Sequence, residues 1–256
     1  MTKITADSMR NLQMDSYSII ADNVLPYIVP LVNAGQLNAT QKEALQLIQK
    51  WNRFYDAKAV AASIFELWTK RLLYDIWDDE FTIRDIPMRY PSRDRTVELI
   101  QKDPGSHWFD NIRTPKKESL ADLVNESFKY ACDSLNRKYG PIGNDWQWGN
   151  VKGSNVPHLA KIPGFGTKKL LIGGAKSTVN ALSETNGPSW RMVVELGSMP
   201  KGHGVFPGGQ SGNPGSPYYD NMVDTWAQGR LYDLYYMQSA DDKSAKILSH
   251  LKISKK

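Results

Sequence analysis

The sequence predicts an α+β fold in which a helical layer is followed by strands. Sixteen of the nineteen glycines and eight of the fourteen prolines lie in residues 140–217. Before that region, apolar residues recur at helical spacing, and within it residues 189–196 alternate as a strand does. The chain is therefore divided into a helical region (1–139), a Gly/Pro-rich strand region (140–217), and a terminal helix with a basic tail (218–256).

Periodicity and capping residues predict three long helices in the first region. Residues 40–43, Thr-Gln-Lys-Glu, have the spacing of a capping box in front of a helix with one apolar face. A second helix is expected over residues 58–77. A third opens at Thr114, with Pro115 in its first turn, and ends at Gly140, where glycine can adopt the left-handed cap.

Prolines divide the other helical segments. Residues 7–32 are predicted to be helical but interrupted by Pro26 and Pro30, because proline lacks the backbone donor that a helix interior uses. A short helix is expected near residues 93–102, between irregular connections. These segments together predict a helical layer with a sizeable core.

The second region predicts strands. Alternate residues of 189–196 are apolar, so this strand should bury one face, with Trp190 as its anchor. A shorter strand is expected over residues 168–172, and a helix with weak periodicity over residues 219–237. The side chains of the predicted buried face are Trp190, Met192, Val194 and Leu196.

The charge distribution argues against nucleic-acid and membrane partners. Net charge is +5, but the basic residues are interleaved with acidic ones along most of the chain. No apolar run approaches the roughly eighteen residues of a membrane span, and no apolar segment of a secretory signal follows Met1. One basic cluster lies in the tail, which we expect to be solvated; it consists of Lys243, Lys246, Lys252, Lys255 and Lys256.

Two candidate nucleophiles are weak on sequence grounds. Ser211 follows Gly209, but a nucleophile elbow also needs a glycine two residues after the serine, where this chain has Asn213. Thr2 would become N-terminal if Met1 were removed, yet it precedes an expected helix start rather than opening a buried strand. Neither is predicted to be catalytic.

No metal or phosphate site is predicted either. Residues 173–177, Gly-Gly-Ala-Lys-Ser, lack two glycines that a phosphate-binding loop needs. The single cysteine, Cys132, is expected to be a buried helical thiol. Residues 78–80, Asp-Asp-Glu, could bind calcium weakly, but a charged helix end is the commoner explanation. The four histidines do not pair at metal-ligand spacing with each other or with a carboxylate; they are His107, His158 (interpreted as structural), His203 (placed in a loop) and His250.

Two long runs resemble the penicillin acylase family. Residues 186–197, Asn-Gly-Pro-Ser-Trp-Arg-Met-Val-Val-Glu-Leu-Gly, are similar to a strand of that family, and residues 204–220 contain its closing Pro-Gly-Gly-Gln-Ser-Gly-Asn run. Trp226 begins a W-x-x-G sequence that resembles the family's ending. In looser form the resemblance covers residues 4–236. It identifies the chain as the C-terminal part of the larger, beta chain of such an enzyme, with Gln210 in a loop that fixes the last strands or, as the alternative, lines the acyl pocket.

The resemblance implies an N-terminal-nucleophile hydrolase built as an αββα sandwich, of which this chain is one incomplete domain. In that family the precursor cuts itself, and the new N-terminal serine attacks the amide carbon while its own amine moves the proton. The serine, the oxyanion asparagine and, where present, the calcium ligands precede the matched region. We therefore expect no catalytic, cofactor-binding or metal-binding residue in this chain.

The chain is expected to be part of an enzyme that cleaves non-peptide acyl amide bonds, as in antibiotic metabolism. The partners would be the upstream alpha and beta chain regions of the acylase, and the substrate a small acyl amide, whether β-lactam, acyl-homoserine lactone or another. The chain alone, a fragment or truncated product, is expected to be inactive, and the family implies a periplasmic location. Two alternatives stay open: a non-catalytic binding or structural domain, and an independent serine hydrolase that uses Ser211.

Overall fold

The computed structural model confirms the α+β prediction, because helices occupy the first part of the chain and three short strands occur later. The chain forms a larger unit, Asp15–Gly187, and a smaller unit made from Met1–Met14 and Pro188–Lys256. The compositional division at residues 139 and 217 stays a prediction. The structure describes residues 4–82, 88–239, 241–244, 247, 249 and 251–255.

Helices of the larger unit pack around one central helix. In chain order the first helices are α1 (Ala6–Gln13), which belongs to the smaller unit, then α2 (Ile19–Ile28), α3 (Ala39–Lys50), α4 (Val60–Phe81), α5 (Arg93–Lys102), α6 (Leu120–Tyr139) and α7 (Trp148–Lys152). Helix α4 packs against α3, α6 and α7. The prediction for α4 was residues 58–77, and the helix extends beyond that range at its C-terminal end, to Phe81. Helix α5 lies where it was predicted. None of these helices is long and apolar enough to cross a membrane.

Aromatic side chains fill the core between α4 and α6. Trp68 is fully buried, and its ring centroid lies 4.9 Å from that of Phe128. Its indole N–H donates to the carbonyl of Val124 at 3.2 Å, so the polar atom of this buried ring has a partner. Truncating a buried tryptophan of this kind to alanine typically costs about 3–5 kcal/mol.

Helix α3 begins earlier than predicted. Asn38 is its N-cap residue, because its side chain accepts a hydrogen bond from the backbone N–H of Gln41 at 2.9 Å. The Gln41 side chain accepts in return from the Asn38 N–H at 3.1 Å. The capping box predicted at residues 40–43 is therefore wrong. Asparagine caps at least as well as threonine, and a capping box needs a Glu or Gln three residues on, which Gln41 supplies.

Helix α6 begins at Leu120 rather than at Thr114. Ser119 and Asp122 cap it reciprocally, since each side chain binds the backbone N–H of the other. The predicted start with Pro115 in the first turn is thus wrong. The predicted end at Gly140 is confirmed, but with a φ of +77° and a ψ of −162° this glycine does not form the left-handed helical cap that was expected.

The segment predicted as one interrupted helix over residues 7–32 is two helices. They are separated by residues 14–18, and the Ser18 side chain caps α2 by accepting a first-turn N–H. Pro26 lies inside α2 near its C-terminal end, while Pro30 lies in the 3-10 turn that follows. The first interruption therefore lies at residues 14–18 and not at Pro26, whereas the α-helix does end before Pro30, in agreement with that part of the prediction.

The described part of the smaller unit contains a small antiparallel sheet of three strands. Strand β1 (Arg191–Glu195) pairs with β2 (Lys201–Val205), which pairs with β3 (Tyr232–Leu234). The strand predicted over residues 189–196 is thus present in shorter form. The strand predicted over residues 168–172, in the larger unit, is absent: that segment makes only scattered hydrogen bonds, such as Leu170 N–H to the Ser154 carbonyl at 2.7 Å.

The terminal helix predicted over residues 219–237 is also wrong. A short helix, α8 (Val223–Ala227), is followed by a turn and then by β3. Gly229 ends the helical path with a φ of +67°, and a Cβ there would lie 2.4 Å from the Met14 Cγ atom. The helix therefore stops where Gly229 packs closely against Met14, the residue that follows α1, and the weak periodicity did not reveal this contact.

The buried face of β1 is the opposite of the predicted one. Arg191 and Val193 are 4% and 9% exposed, while Trp190 is 44% exposed. The Arg191 guanidinium donates to the Gln13 carbonyl at 3.3 Å and lies 5.6 Å from the centroid of the Trp226 ring. Arginine can bury its aliphatic stem while its guanidinium is hydrogen-bonded, so Arg191 is tolerated on a buried face. Helix α1 contacts β1 and covers this face, and the more apolar face stays open.

Gly173 and Gly174 form a tight corner in the larger unit. A Cβ on Gly173 would lie 2.7 Å from the Tyr55 carbonyl oxygen, and one on Gly174 would lie 2.3 Å from the Asn180 carbonyl oxygen. Gly174 also has a φ of +79°, and its N–H donates to the Tyr55 carbonyl at 2.8 Å. Only glycine permits both the conformation and the close approach.

The structure predicts that Gly174→Ala destabilises the chain more than Gly140→Ala does. Both glycines have almost the same positive φ, but a Cβ on Gly140 meets nothing within 4 Å. Gly140→Ala should therefore cost only the conformational penalty of about 1–3 kcal/mol for a backbone region that favours glycine. Gly174→Ala should cost about 4 kcal/mol or more, because backbone must move as well. Urea unfolding of both variants measures this; equal losses would show that the corner is not tightly packed.

Candidate functional site

A buried lysine lies at the C-terminal end of α7. The Lys152 ammonium donates hydrogen bonds to the carbonyl oxygens of Gly173 and Gly174, at 2.5 Å and 3.0 Å, and lies 5.7 Å from the centroid of the Trp148 ring. No carboxylate of the described residues forms an ion pair with it. Burial lowers the pKa of Lys152 from 10.5 to about 7, because desolvation disfavours the charged form. Lysines are almost never this deeply buried without an ion-pair partner.

Lys152 lines a half-open cavity of about 520 Å³ in the larger unit. Such a volume is typical of small-molecule sites in proteins. Its wall combines charged, hydroxyl and amide side chains with apolar ones. The lining residues are Glu66, Lys70, Arg93, Trp148, Lys152, Ala175, Lys176, Leu182, Ser183, Glu184, Thr185 and Asn186.

One acidic residue of the cavity wall is neutralised by its neighbours. The Arg93 guanidinium donates to both carboxylate oxygens of Glu66, at 3.3 Å and 3.1 Å. The Tyr55 hydroxyl donates to the same carboxylate at 2.9 Å. Burial and the Glu66 charge raise the pKa of Tyr55 well above 10, so this hydroxyl stays a donor at neutral pH.

The loop that carries Gln210 and Ser211 folds back on its own chain. The Ser211 N–H donates to the Tyr218 carbonyl at 3.0 Å, and a Cβ on Gly209 would lie 2.1 Å from the same oxygen. The glycine therefore lets two backbone segments touch. Gln210 itself is exposed. This geometry supports the interpretation of the loop as a device that fixes local backbone.

The Ser211 hydroxyl is used by a turn. Its oxygen accepts a hydrogen bond from the backbone N–H of Asn213 at 3.1 Å, as short polar side chains often do in turns. No histidine of the described residues makes a hydrogen bond to this oxygen. A serine nucleophile needs a base within hydrogen-bond reach, and Thr2, the other candidate nucleophile, lies outside the described residues.

His203 corrects one interpretation from the sequence. It lies on β2 and not in a loop, and its Nδ1 atom is 2.9 Å from the carboxylate of Asp233. The antiparallel register places these two residues opposite each other. A histidine–carboxylate pair therefore exists that sequence spacing did not reveal. In the described part of the chain, no three His, Cys, Asp or Glu side chains are grouped so that they could hold a metal ion.

The other histidines have local roles or lie outside the described residues. The His158 ring accepts a hydrogen bond from the Ala160 N–H at 3.3 Å and packs edge-on against Phe165, which agrees with a structural role. The His107 ring packs against the Trp108 ring, with centroids 4.8 Å apart. His250 belongs to the residues that the structure does not describe.

Residues 78–80 form a charged end of α4, as expected. The Arg113 guanidinium binds the Asp78 carboxylate at 2.9 Å and the helix-end carbonyls of Asp78 and Asp79 at 3.0 Å and 3.2 Å. This cation offsets the cost of acidic residues at a helix C-terminus. Burial and a hydrogen bond to Asp79 raise the pKa of Glu80 to about 8.

Sequence reasoning anticipated Cys132 but missed Lys152. Cys132 is fully buried in α6, so it is a buried helical thiol as predicted, and burial raises the pKa of this thiol to about 12. Lys152 stands in the run Gly-Asn-Val-Lys-Gly, which carries no recognisable motif. Its neighbourhood arises from Gly173 and Gly174, about twenty residues later, whose run was interpreted only as a turn.

Comparison with known proteins gives a consistent result. The model of the penicillin amidase family matches residues 1–243. The acyl-homoserine lactone acylase QuiP of Pseudomonas syringae pv. syringae is 26% identical over 227 residues, which are 79% of this chain and 27% of that protein. The QuiP acylase of Pseudomonas putida is 30% identical over 152 residues, which are 55% of this chain and 18% of that protein.

A solved structure shows the same fold. The thermostable penicillin G acylase from Alcaligenes faecalis aligns with a TM-score of 0.52 and 13% identity, over 94% of this chain and 48% of that chain. At this identity the likeness concerns the fold alone. The chain spans about a quarter of the length of the acyl-homoserine lactone acylases of Pseudomonas syringae that it matches.

The buried ammonium predicts a distinctive pH dependence of stability. The pKa of Lys152 is about 7 in the folded chain and 10.5 when unfolded, so between these values the unfolded chain binds the extra proton. The free energy of unfolding should therefore gain a contribution that rises from pH 7 to about 10. Lys152→Met should lack this rise, while the exposed Lys117→Met should keep it. Parallel slopes in all three proteins, from denaturant titrations across this range, would contradict the assignment.

Proposed function

This chain belongs to the penicillin amidase family, and from this premise we propose that it is the C-terminal portion of the larger chain of an acylase. The observation that carries the proposal is the span of the match. The family model covers residues 1–243, yet the chain has only about a quarter of the length of the Pseudomonas syringae relatives. In the proposed enzyme, the remaining sequence supplies the nucleophile, the oxyanion donors and any calcium site.

The open face of the small sheet supports this proposal. Met192 and Val194 lie on one side of β1, level with Gly204 and Gly202 of β2, and each is more than 40% exposed. Trp190 extends this face, since its ring packs over Gly204, where a Cβ would be only 2.6 Å away. Contiguous apolar surface of this kind is typical of an interface. In the proposed enzyme, further layers of the αββα sandwich cover it. The apolar side chains of the face are Trp190, Met192, Val194, Tyr232 and Leu234.

The proposed substrate is a small acyl amide. The two kinds of similar protein are named for acyl-homoserine lactones and for penicillin G, which both carry an acyl group on nitrogen. Hydrolysis would transfer the acyl group from nitrogen to the upstream serine and then to water. The residues of this chain would hold the scaffold of the cleft, with the loop of Gln210 fixing backbone beside the last strands. A periplasmic location and a role in antibiotic metabolism belong to the same proposal.

We expect the isolated chain to lack amidase activity. The proposed nucleophile is supplied upstream, and the Ser211 hydroxyl is held by a backbone amide. A chromogenic phenylacetyl amide should therefore not be cleaved by the chain or by Ser211→Ala, whereas co-expression with an upstream family region should give turnover. Activity of the isolated chain that disappears in Ser211→Ala would establish the alternative, an independent serine hydrolase.

The open sheet face should make the isolated chain associate. A charge in the middle of this face should weaken association, because burying it between copies is costly. We expect Val194→Lys to lower both the scattered-light mass and the fluorescence of a bound hydrophobic dye. Val179→Lys is the matched control, since Val179 is 60% exposed and belongs to the larger unit, which does not contain the sheet. A monodisperse wild-type chain without dye binding would count against the fragment proposal.

A further inference from the structure

The cavity beside Lys152 carries more positive charge than its own residues neutralise. Its basic residues are Lys70, Arg93, Lys152 and Lys176, of which Lys152 is mainly charged below about pH 7, and its acidic residues are Glu66 and Glu184. Glu66 is engaged by Arg93 and by the Tyr55 hydroxyl, so it does not balance the lysines. Within the described residues, none of the three lysines forms an ion pair. The cavity therefore has an attractive potential for anions.

Lys152 is the buried member of this set. Only 9% of the residue is exposed, and its ammonium has three N–H donors, of which two bind the carbonyl oxygens of Gly173 and Gly174. The third has no hydrogen-bond acceptor among the described residues. The two carbonyls orient the ammonium but carry no full charge to compensate it. Lys70 and Lys176 are exposed and lie at the mouth of the cavity.

The type of anion follows from the remaining groups. Phosphate sites commonly use a nest of backbone N–H groups, but here the Gly174 N–H donates to the Tyr55 carbonyl and the Ala175 N–H to the Thr178 hydroxyl. The side-chain donors that remain include the ammonium groups and the Asn186 amide, because the Ser183 and Thr185 hydroxyls already donate to Asn186. Trp148 and Leu182 add apolar wall. One buried ammonium with apolar neighbours suits a monocarboxylate that has an apolar body.

We propose that this cavity binds a small organic carboxylate, which is held by the Lys152 ammonium and drawn in by Lys70 and Lys176. A bound carboxylate would accept the third N–H of Lys152 and supply the negative charge that the wall lacks. Glu66 and Arg93 would form an internally neutral part of the wall. The proposal uses only the geometry of the larger unit and does not rest on the proposed acylase function.

Binding should be linked to protonation. In the empty cavity the pKa of Lys152 is about 7, and a carboxylate beside the ammonium would raise it. Affinity should therefore be highest below pH 7 and should fall as the pH rises towards 9, because the empty chain loses the proton that the complex needs. Affinity should also fall with ionic strength, since the lysines at the mouth are exposed to screening.

The test uses the full 256-residue chain and isothermal titration calorimetry with benzoate. Benzamide is the neutral isostere, and it should bind at least about tenfold more weakly. Lys152→Met should weaken benzoate binding by about tenfold or more, the range for losing a hydrogen bond to a charged group. Lys70→Met and Lys176→Met should each weaken it by about two- to fivefold, as expected for exposed charges. Lys117→Met, an exposed lysine outside the cavity, should bind benzoate as the wild type does.

Several outcomes would overturn the proposal. Equal affinity for benzoate and benzamide would show that the anion is not recognised, and unchanged binding by Lys152→Met would show that the buried ammonium does not hold it. Tighter binding of inorganic phosphate than of benzoate would replace the carboxylate assignment with a phosphate site. If Lys152→Met does not fold, the double variant Lys70→Met/Lys176→Met and the fall in wild-type affinity between pH 7 and 9 decide the question.

Discussion

The larger unit depends on the carbonyl oxygens of two adjacent glycines. The Trp148 indole donates to Gly174 at 2.7 Å, and Lys152 donates to both Gly173 and Gly174. On the other side, the Gly174 N–H binds the Tyr55 carbonyl just before α4 begins. Gly173 and Gly174 thus link α7 to the segment that leads into the central helix α4. This corner also decides the electrostatics of the cavity, because carbonyls rather than a carboxylate receive the ammonium and leave its charge uncompensated.

Periodicity predicted the helices well because it reports burial, which dominates their packing. It placed boundaries poorly, because a helix start depends on which of several polar residues closes a cap. Asn38 and Ser119 were available as well as Thr40 and Thr114, and capping-box spacing alone could not choose between Asn38 with Gln41 and Thr40 with Glu43. Alternation in β1 likewise predicted two faces, but it assigned burial to the wrong one. The long stem of Arg191 and the hydrogen bonds of Gln13, distant in sequence, decided which face is buried.

The candidate site lay beyond sequence reasoning for a related reason. Each of its parts is ordinary alone: a lysine after a short helix, a pair of glycines, a tyrosine before a long helix. The site forms only because the tertiary structure brings Tyr55, Lys152 and Gly174 into hydrogen-bonding contact. The weak motif at Ser211 failed on local spacing, and spacing of that kind can be judged from sequence. Desolvation of a lysine depends on the whole surrounding fold and cannot be judged so.

The two units differ in how much of their apolar surface they bury. The larger unit buries a continuous core that includes Trp68 and Phe128, so its helices stabilise one another. Among the described hydrophobic residues of the smaller unit, the buried ones are few, namely Val193, Val205, Val223 and Trp226, and a whole sheet face stays open. Three short strands with so little buried surface are marginal alone. In the proposed acylase the smaller unit is therefore where added layers contribute most stability. The larger unit should retain its fold and its cavity without them, so that ligand binding there and assembly of the enzyme can be studied separately.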